Sequence, residues 1–196
     1  EQARQRTLVT LRFLHGAPQG PEAHGTAGYK GFFYHFLDMR TGHRAMQSEL
    51  STVDTAIMLA GALFCQSYFD GADTDEVEIR RLVEEIYRRV DWRWAQAKPP
   101  AITLGWSPED GFLKYDWRGY NEAMLVYLLA LGSPTFPVEP DAWTEWTSTY
   151  DKHWGKLFGQ EFLLKSVSRS GDVQARWALR EGACVVTIAH RYGVPR

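Results

Sequence analysis

Four carboxylates stand where polar, aromatic loops run into apolar helices. Asp54 and Glu122 each fall in the first turn of a predicted helix, in the strings STVDTAIMLAGALF and GYNEAMLVYLLALG. Glu49 lies five residues before Asp54, and Asp38 closes the aromatic run FFYHFLD. Carboxylates paired across an aromatic cleft are what glycoside hydrolysis needs: one protonates the leaving oxygen, the other activates water or attacks the sugar. Tyr34, Trp106, Trp117 and Tyr120, with Phe33, supply rings that can stack on pyranose faces. Each of these residues also has a structural reading. Asp54 is the fourth residue of the capping-box pattern Ser51-Thr52-Val53-Asp54. Glu122 at a helix start is favoured by the helix dipole, which prefers the charged carboxylate, whereas a general acid must keep its proton. Tryptophan and tyrosine serve as core more often than as sugar platforms.

Other chemistry is weakly represented. His35 and His43 are separated by a turn and make no helix-face metal pair. Cys65 and Cys184 are too few for a disulfide scaffold or a Cys-only zinc site, and Cys65 reads as packing inside an apolar helix. The acidic run DGADTDE lacks the twelve-residue register of a calcium loop and reads as a solvated helix start. No phosphate-binding glycine loop is present, so neither a metal nor a cofactor is expected.

The elements that must position the carboxylates follow from periodicity. Residues 3–15 place Leu8, Leu11 and Leu14 at near-helical spacing, and a Gly/Pro-rich break follows. Residues 32–47 read as a short hairpin-like or extended insert. A nearly all-apolar helix begins after Ser51. A second helix from Glu76 to about Trp94 carries the stripe Val77, Leu82, Ile86 and Val90. Residues 101–118 read as loop with short strands. Another apolar helix runs to Gly132 as a C-cap, and DAWTEWTSTYDKHW reads as a helix started by Asp141. Buried and amphipathic helices thus alternate, which suggests a mainly α fold of the α/α toroid type.

With 44% hydrophobic and 23% charged residues the composition is that of a globular domain. A formal net charge of −2 argues against a nucleic-acid partner. No apolar run reaches the roughly 20 residues of a membrane span. The N-terminus EQARQRTLVT has neither an initiator Met nor an apolar signal core, so a leader has been removed or the chain starts inside a longer one. Residues 164–196 hold six Lys/Arg against two acids, leaving 16 basic and 22 acidic residues before them. The simplest reading of that shift is a basic surface helix at 173–192.

The string GFFYHFLDMRTGHRAMQSELSTVDTAIMLAGALFCQSYFD (31–70) resembles the glucoamylase-like domain of bacteria, a family that includes endo-β-1,2-glucanases. The resemblance continues through EIRRLVEEIYRRVDWRWA (78–95), GWSPEDGFLKYDWRGYNEAMLVYLLALGSPT (105–135) and AWTEWTSTY (142–150). It implies an (α/α)6 toroid and hydrolysis of β-linked glucan, with an inverting arrangement of carboxyls. By motif, the Glu and Asp of ELST-x-D fall on Glu49 and Asp54, and the Glu of GYNEAM falls on Glu122, the implied general acid; which partner is the base stays open. A full-length member is implied to be periplasmic or secreted. Two departures stand out. A complete toroid needs about twelve helices and the chain has room for about half. After Phe158–Leu163 the family continues into an aromatic, His-rich stretch that residues 164–196 lack.

The chain is therefore read as a truncated or frame-shifted fragment. Residues 1–163 are expected to form part of a toroid with a short hairpin-like insert, and 164–196 a divergent basic tail. The leading reading is a glycoside hydrolase module whose partner is a β-glucan oligo- or polysaccharide. The alternative is a non-catalytic carbohydrate-binding or interaction fragment. A lyase with Tyr120 as base is a third option. Half a toroid would leave Ile57, Leu59, Leu125 and Leu128 beside an unsealed face, which invites self-association. The Tyr34–Asp38 end of the insert is expected to line the sugar cleft, or else both its faces are buried between helices.

Overall fold

The computed structural model describes residues 1–150, 154–157 and 160–163. The chain divides into two compact units, residues 1–117 with 122–145, and residues 118–121 with 146–196.

The first unit is organised around a small antiparallel sheet. Its strands are β1 (Gly28–Tyr29), β2 (Phe32–Tyr34), β3 (Leu50–Ser51), β4 (Gly105–Ser107) and β5 (Gly111–Phe112), paired in chain order. Lys30 and Gly31 join β1 to β2 with φ of 55° and 85°, the left-handed pair that a tight hairpin requires. A side chain at Gly31 would also strike the Arg89 carbonyl and the Val90 backbone. The expected insert is therefore real, but the hairpin starts at Gly28 rather than Phe32. Strands from beyond residue 100 complete its sheet, a long-range pairing with no local signature.

Four helices flank the sheet: α1 (Gln2–Gly16), α2 (Thr52–Tyr68), α3 (Thr74–Arg88) and α4 (Met124–Leu131). Helix α3 packs on α1 and α2, and α2 packs on α4. Leu8, Leu11, Leu59, Ile79, Leu82, Val83 and Ile86 form the core between them. Ser51 caps α2 as expected: its hydroxyl accepts from the Asp54 N–H at 3.1 Å. Helix α3 is capped by Asp73 and ends six residues before the expected Trp94. Its buried stripe is Ile79, Leu82, Val83 and Ile86; Val77 lies about 200° round the helix from Ile79 and is exposed. Gly132 caps α4, but in a right-handed conformation at φ −81°, so glycine is not demanded there.

A fifth helix, α5 (Asp141–Thr147), ends well short of the expected Trp154. Trp154–Leu157 is instead strand β6, paired with β7 (Gln160–Leu163) in register Trp154↔Leu163. Within the second unit Trp146 is buried, its carbonyl accepting from the Gly119 N–H at 2.7 Å and its indole donating to Asn121 Oδ1 at 3.4 Å. The fold is thus mixed rather than purely helical: five helices accompany seven short strands among the described residues. The expected basic helix at 173–192 lies outside the described residues.

Candidate active site

Sheet pairing decides which candidates meet. The His35 N–H donates to the Glu49 carbonyl at 2.8 Å, extending the β2–β3 ladder by one pair. Side chains alternate along a strand, so Phe33, His35, Glu49 and Ser51 share one face, next to the start of α2. Phe33's N–H donates to Thr55 Oγ1 on α2 at 3.0 Å, fixing the helix to the strand. Gly105, opposite Ser51, leaves room for the Glu49 side chain; a Cβ there would meet Glu49 Cγ at 3.3 Å and run into the Leu50 carbonyl oxygen.

On that face His35 Nδ1 lies 2.8 Å from Glu49 Oε1, and Nε2 lies 3.5 Å from Asp54 Oδ2. The Ser51 hydroxyl donates to Asp54 Oδ2 at 2.6 Å while accepting from the Asp54 N–H. Asp54 thus fills its helix-start role and takes part in a carboxylate cluster at once; the two readings of this residue are not exclusive. Glu49 and Asp54 are brought together, with His35 between them. No local signal marks His35, because its partner sits across a ladder whose register no local pattern encodes. Trp117 reaches the same corner: its indole donates to Thr52 Oγ1 at 2.9 Å, at the first residue of α2.

Other expected residues are placed differently. Leu50 pairs with Trp106 and with Tyr34, so both rings lie on the sheet face opposite Glu49 and Ser51. Tyr34 is only 3% exposed and stacks under the Arg44 guanidinium at 4.8 Å. Burial pushes its phenol pKa up. Phe32 and Phe33 are buried as well, Phe33 against Ala17, Ala27 and Arg89. The β2 end of the insert is therefore core on both faces, and the expected cleft at Tyr34 is corrected by this burial. Exposure begins only at His35 and Phe36, whose rings stack at 4.3 Å. Trp106 belongs to a half-buried cluster with Tyr29, Trp94 and Phe112, ring centroids 4.8–5.8 Å apart.

Asp38 closes a turn. Its Oδ1 accepts from the Thr41 N–H at 2.9 Å, the Arg40 N–H at 3.0 Å and the Thr41 hydroxyl at 3.2 Å. These bonds, Thr41's first, hold its carboxyl below the usual carboxylate range. The local turn accounts for this aspartate. Glu122 is exposed and lies two residues before α4, not in its first turn; its carbonyl accepts from the Leu125 N–H. Tyr120, in the second unit, sits edge-on to Tyr150 at 6.1 Å. Burial, then Tyr120, pushes the Tyr150 phenol up to about 12. No group of three or more metal-ligating side chains occurs among the described residues. A surface cavity at the far end of α2, lined by Tyr68, Phe69 and Gly71, is ringed by the Arg4 ion pairs and holds none of these candidates.

The family model described as "Putative glucoamylase" matches residues 114–170, a window that contains Glu122. The exo β-1,2-glucooligosaccharide sophorohydrolase of Parabacteroides distasonis is 25% identical over 172 residues, 80% of this chain. The chain resembles the glucoamylase-like family. A putative glucoamylase from Bacteroides uniformis superposes with a TM-score of 0.73 at 22% identity, over 87% of this chain. The endo-β-1,2-glucanase of Chitinophaga pinensis, solved with sophorotriose and glucose, gives 0.71 at 21% identity over 83%. The chain spans only 23% of the sophorohydrolase and 41% and 38% of the two solved chains.

Proposed function

We propose that the chain carries part of a glycoside hydrolase site acting on β-1,2-linked glucan, within a partial (α/α)6 toroid formed by residues 1–163, with 164–196 a divergent tail. The observation that carries this reading is the Glu49–His35–Asp54 cluster, in a chain similar over most of its length to a β-1,2-glucooligosaccharide hydrolase. Glu122 is the general acid and protonates the leaving glycosidic oxygen. Asp54 is the base. Its Oδ2 is engaged by Ser51 and His35, while Oδ1 makes no hydrogen bond within the described residues and is the oxygen left for water. An imidazole fills the space between Glu49 and Asp54, so these two do not face each other across a sugar. They act from one side, opposite the acid, as inversion requires. Trp117, anchored at Thr52, offers a ring beside Asp54 for a pyranose face.

The test is Glu122→Gln, assayed for oligosaccharide release from β-1,2-glucan. Loss of general acid catalysis costs about 10²–10⁴ in rate, with an unchanged melting temperature. Near wild-type release would return Glu122 to a helix-start acid. The half-buried cluster of Tyr29, Trp94, Trp106 and Phe112 favours a second reading, a non-catalytic carbohydrate-binding fragment. Glucan binding by a chain with no cleavage would select it.

A further inference from the structure

We propose that His35 is a positioning residue that ties Glu49 and Asp54 into one unit and so aims Asp54 at its water. This rests on the glycosidase reading above. Nδ1 is hydrogen-bonded to Glu49 at 2.8 Å, and Nε2 lies 3.5 Å from Asp54, an ion pair when the ring is protonated. Each nitrogen faces a carboxylate rather than open cleft, so His35 acts through its neighbours. A carboxylate only accepts, so the short Nδ1 contact is an N–H donating to Glu49. An imidazolium fills both contacts, and the neutral ring with its proton on Nδ1 keeps the Glu49 bond. Glu49 is held in either state, and Asp54 by the charged ring alone, whose N–H on Nε2 is what aims it.

The ring itself is fixed from three directions. The backbone N–H of His35 is in the ladder with Glu49, the ring face stacks on Phe36 at 8° between planes, and Asp54 is held in turn by Ser51. Beside the two carboxylates, the cation Arg44 faces the unit. The Arg44 guanidinium is attracted by Glu49 but bonded to Glu109 and to the Ser48 carbonyl. A base displaced by about 1 Å costs on the order of 10² in rate, which is the scale at which His35 matters.

The ring proton and turnover are read separately. In the whole chain, ¹⁵N-histidine NMR should show a slowly exchanging proton on His35 Nδ1 that is lost in Glu49→Ala. Its absence from the wild type overturns the clamp. On β-1,2-glucan, His35→Ala should lower kcat about 10–100-fold with KM within about twofold, and added imidazole should restore part of the rate. His35→Gln, which can donate to Glu49 alone, should fall between and guards against a misfolded alanine variant. Full kcat in His35→Ala, or a loss that imidazole and His35→Gln both fail to relieve, sinks the positioning role alone. A wild-type chain that shows the ring proton yet leaves β-1,2-glucan intact sinks the glycosidase reading and leaves the clamp standing.

Discussion

The Arg44 guanidinium lies against the Tyr34 ring with almost no exposure, 2% of its side chain. It donates through both terminal nitrogens to Glu109, at 2.8 and 3.0 Å, and through Nε to the Ser48 carbonyl. The bidentate contact holds the Glu109 carboxyl below its ordinary value. A depressed carboxyl stabilises the fold above its unfolded pKa, about 4.3 for glutamate, and the benefit disappears as pH falls through the lower folded value. Glu109→Gln should therefore melt lower than wild type at pH 7, and the two melting temperatures should converge towards pH 3. Calorimetry across that range checks it; parallel curves would mean the ion pair contributes nothing. The same residue-level logic separates Asp38, whose Oδ1 is bonded within its own turn, from Asp54, whose Oδ1 has no hydrogen bond among the described residues.

Helix α2 begins where the sheet ends, and Ser51 belongs to both. Its hydroxyl accepts from the Asp54 N–H and donates to the Asp54 carboxylate, while its carbonyl accepts from the Thr55 hydroxyl at 2.7 Å. Ser51→Ala removes the cap, and loss of such a cap costs about 1 kcal/mol. Urea unfolding should show that loss with the denaturant slope unchanged. No shift of the midpoint would mean that water or another group caps the helix equally well. At this scale the sequence was legible where signals are local: the capping box, the amphipathic α1 and the strand–turn character of 101–118 all appear. It misjudged ends that packing sets, as when α3 stops at Arg88 and α5 at Thr147.

Helices α2 and α4 present apolar side chains to solvent over the whole length of their pair. Ile57 is 49% exposed, Phe64 71% and Leu128 50%, with Met124, Leu125 and Tyr68 beside them; Leu59, expected on this face, is fully buried. An apolar patch larger than a few hundred Å² favours association over hydration. The chain is expected to self-associate through this face. Sedimentation should find oligomers at micromolar concentration, and Phe64→Glu with Leu128→Lys should shift them to monomer. A wild-type monomer with a sharp thermal transition would show the face is tolerated in water. No helix among the described residues is long and apolar enough to cross a membrane.

By itself the sequence determined the helices with strong periodicity, the carboxylates able to do chemistry, and the resemblance to glucoamylase-like proteins. Such features are encoded by neighbours within a few residues, or by motifs kept in order. Only the tertiary structure decided which of them meet. A one-residue step along a strand exchanges its two faces, so Glu49 and His35 lie together while Trp106, opposite Leu50, lies behind the sheet. That register is set by contacts between residues 28–34, 50–51 and 105–112. Burial of Tyr34 and exposure of Phe64 likewise depend on what packs against each side chain, which neither residue's own type fixes.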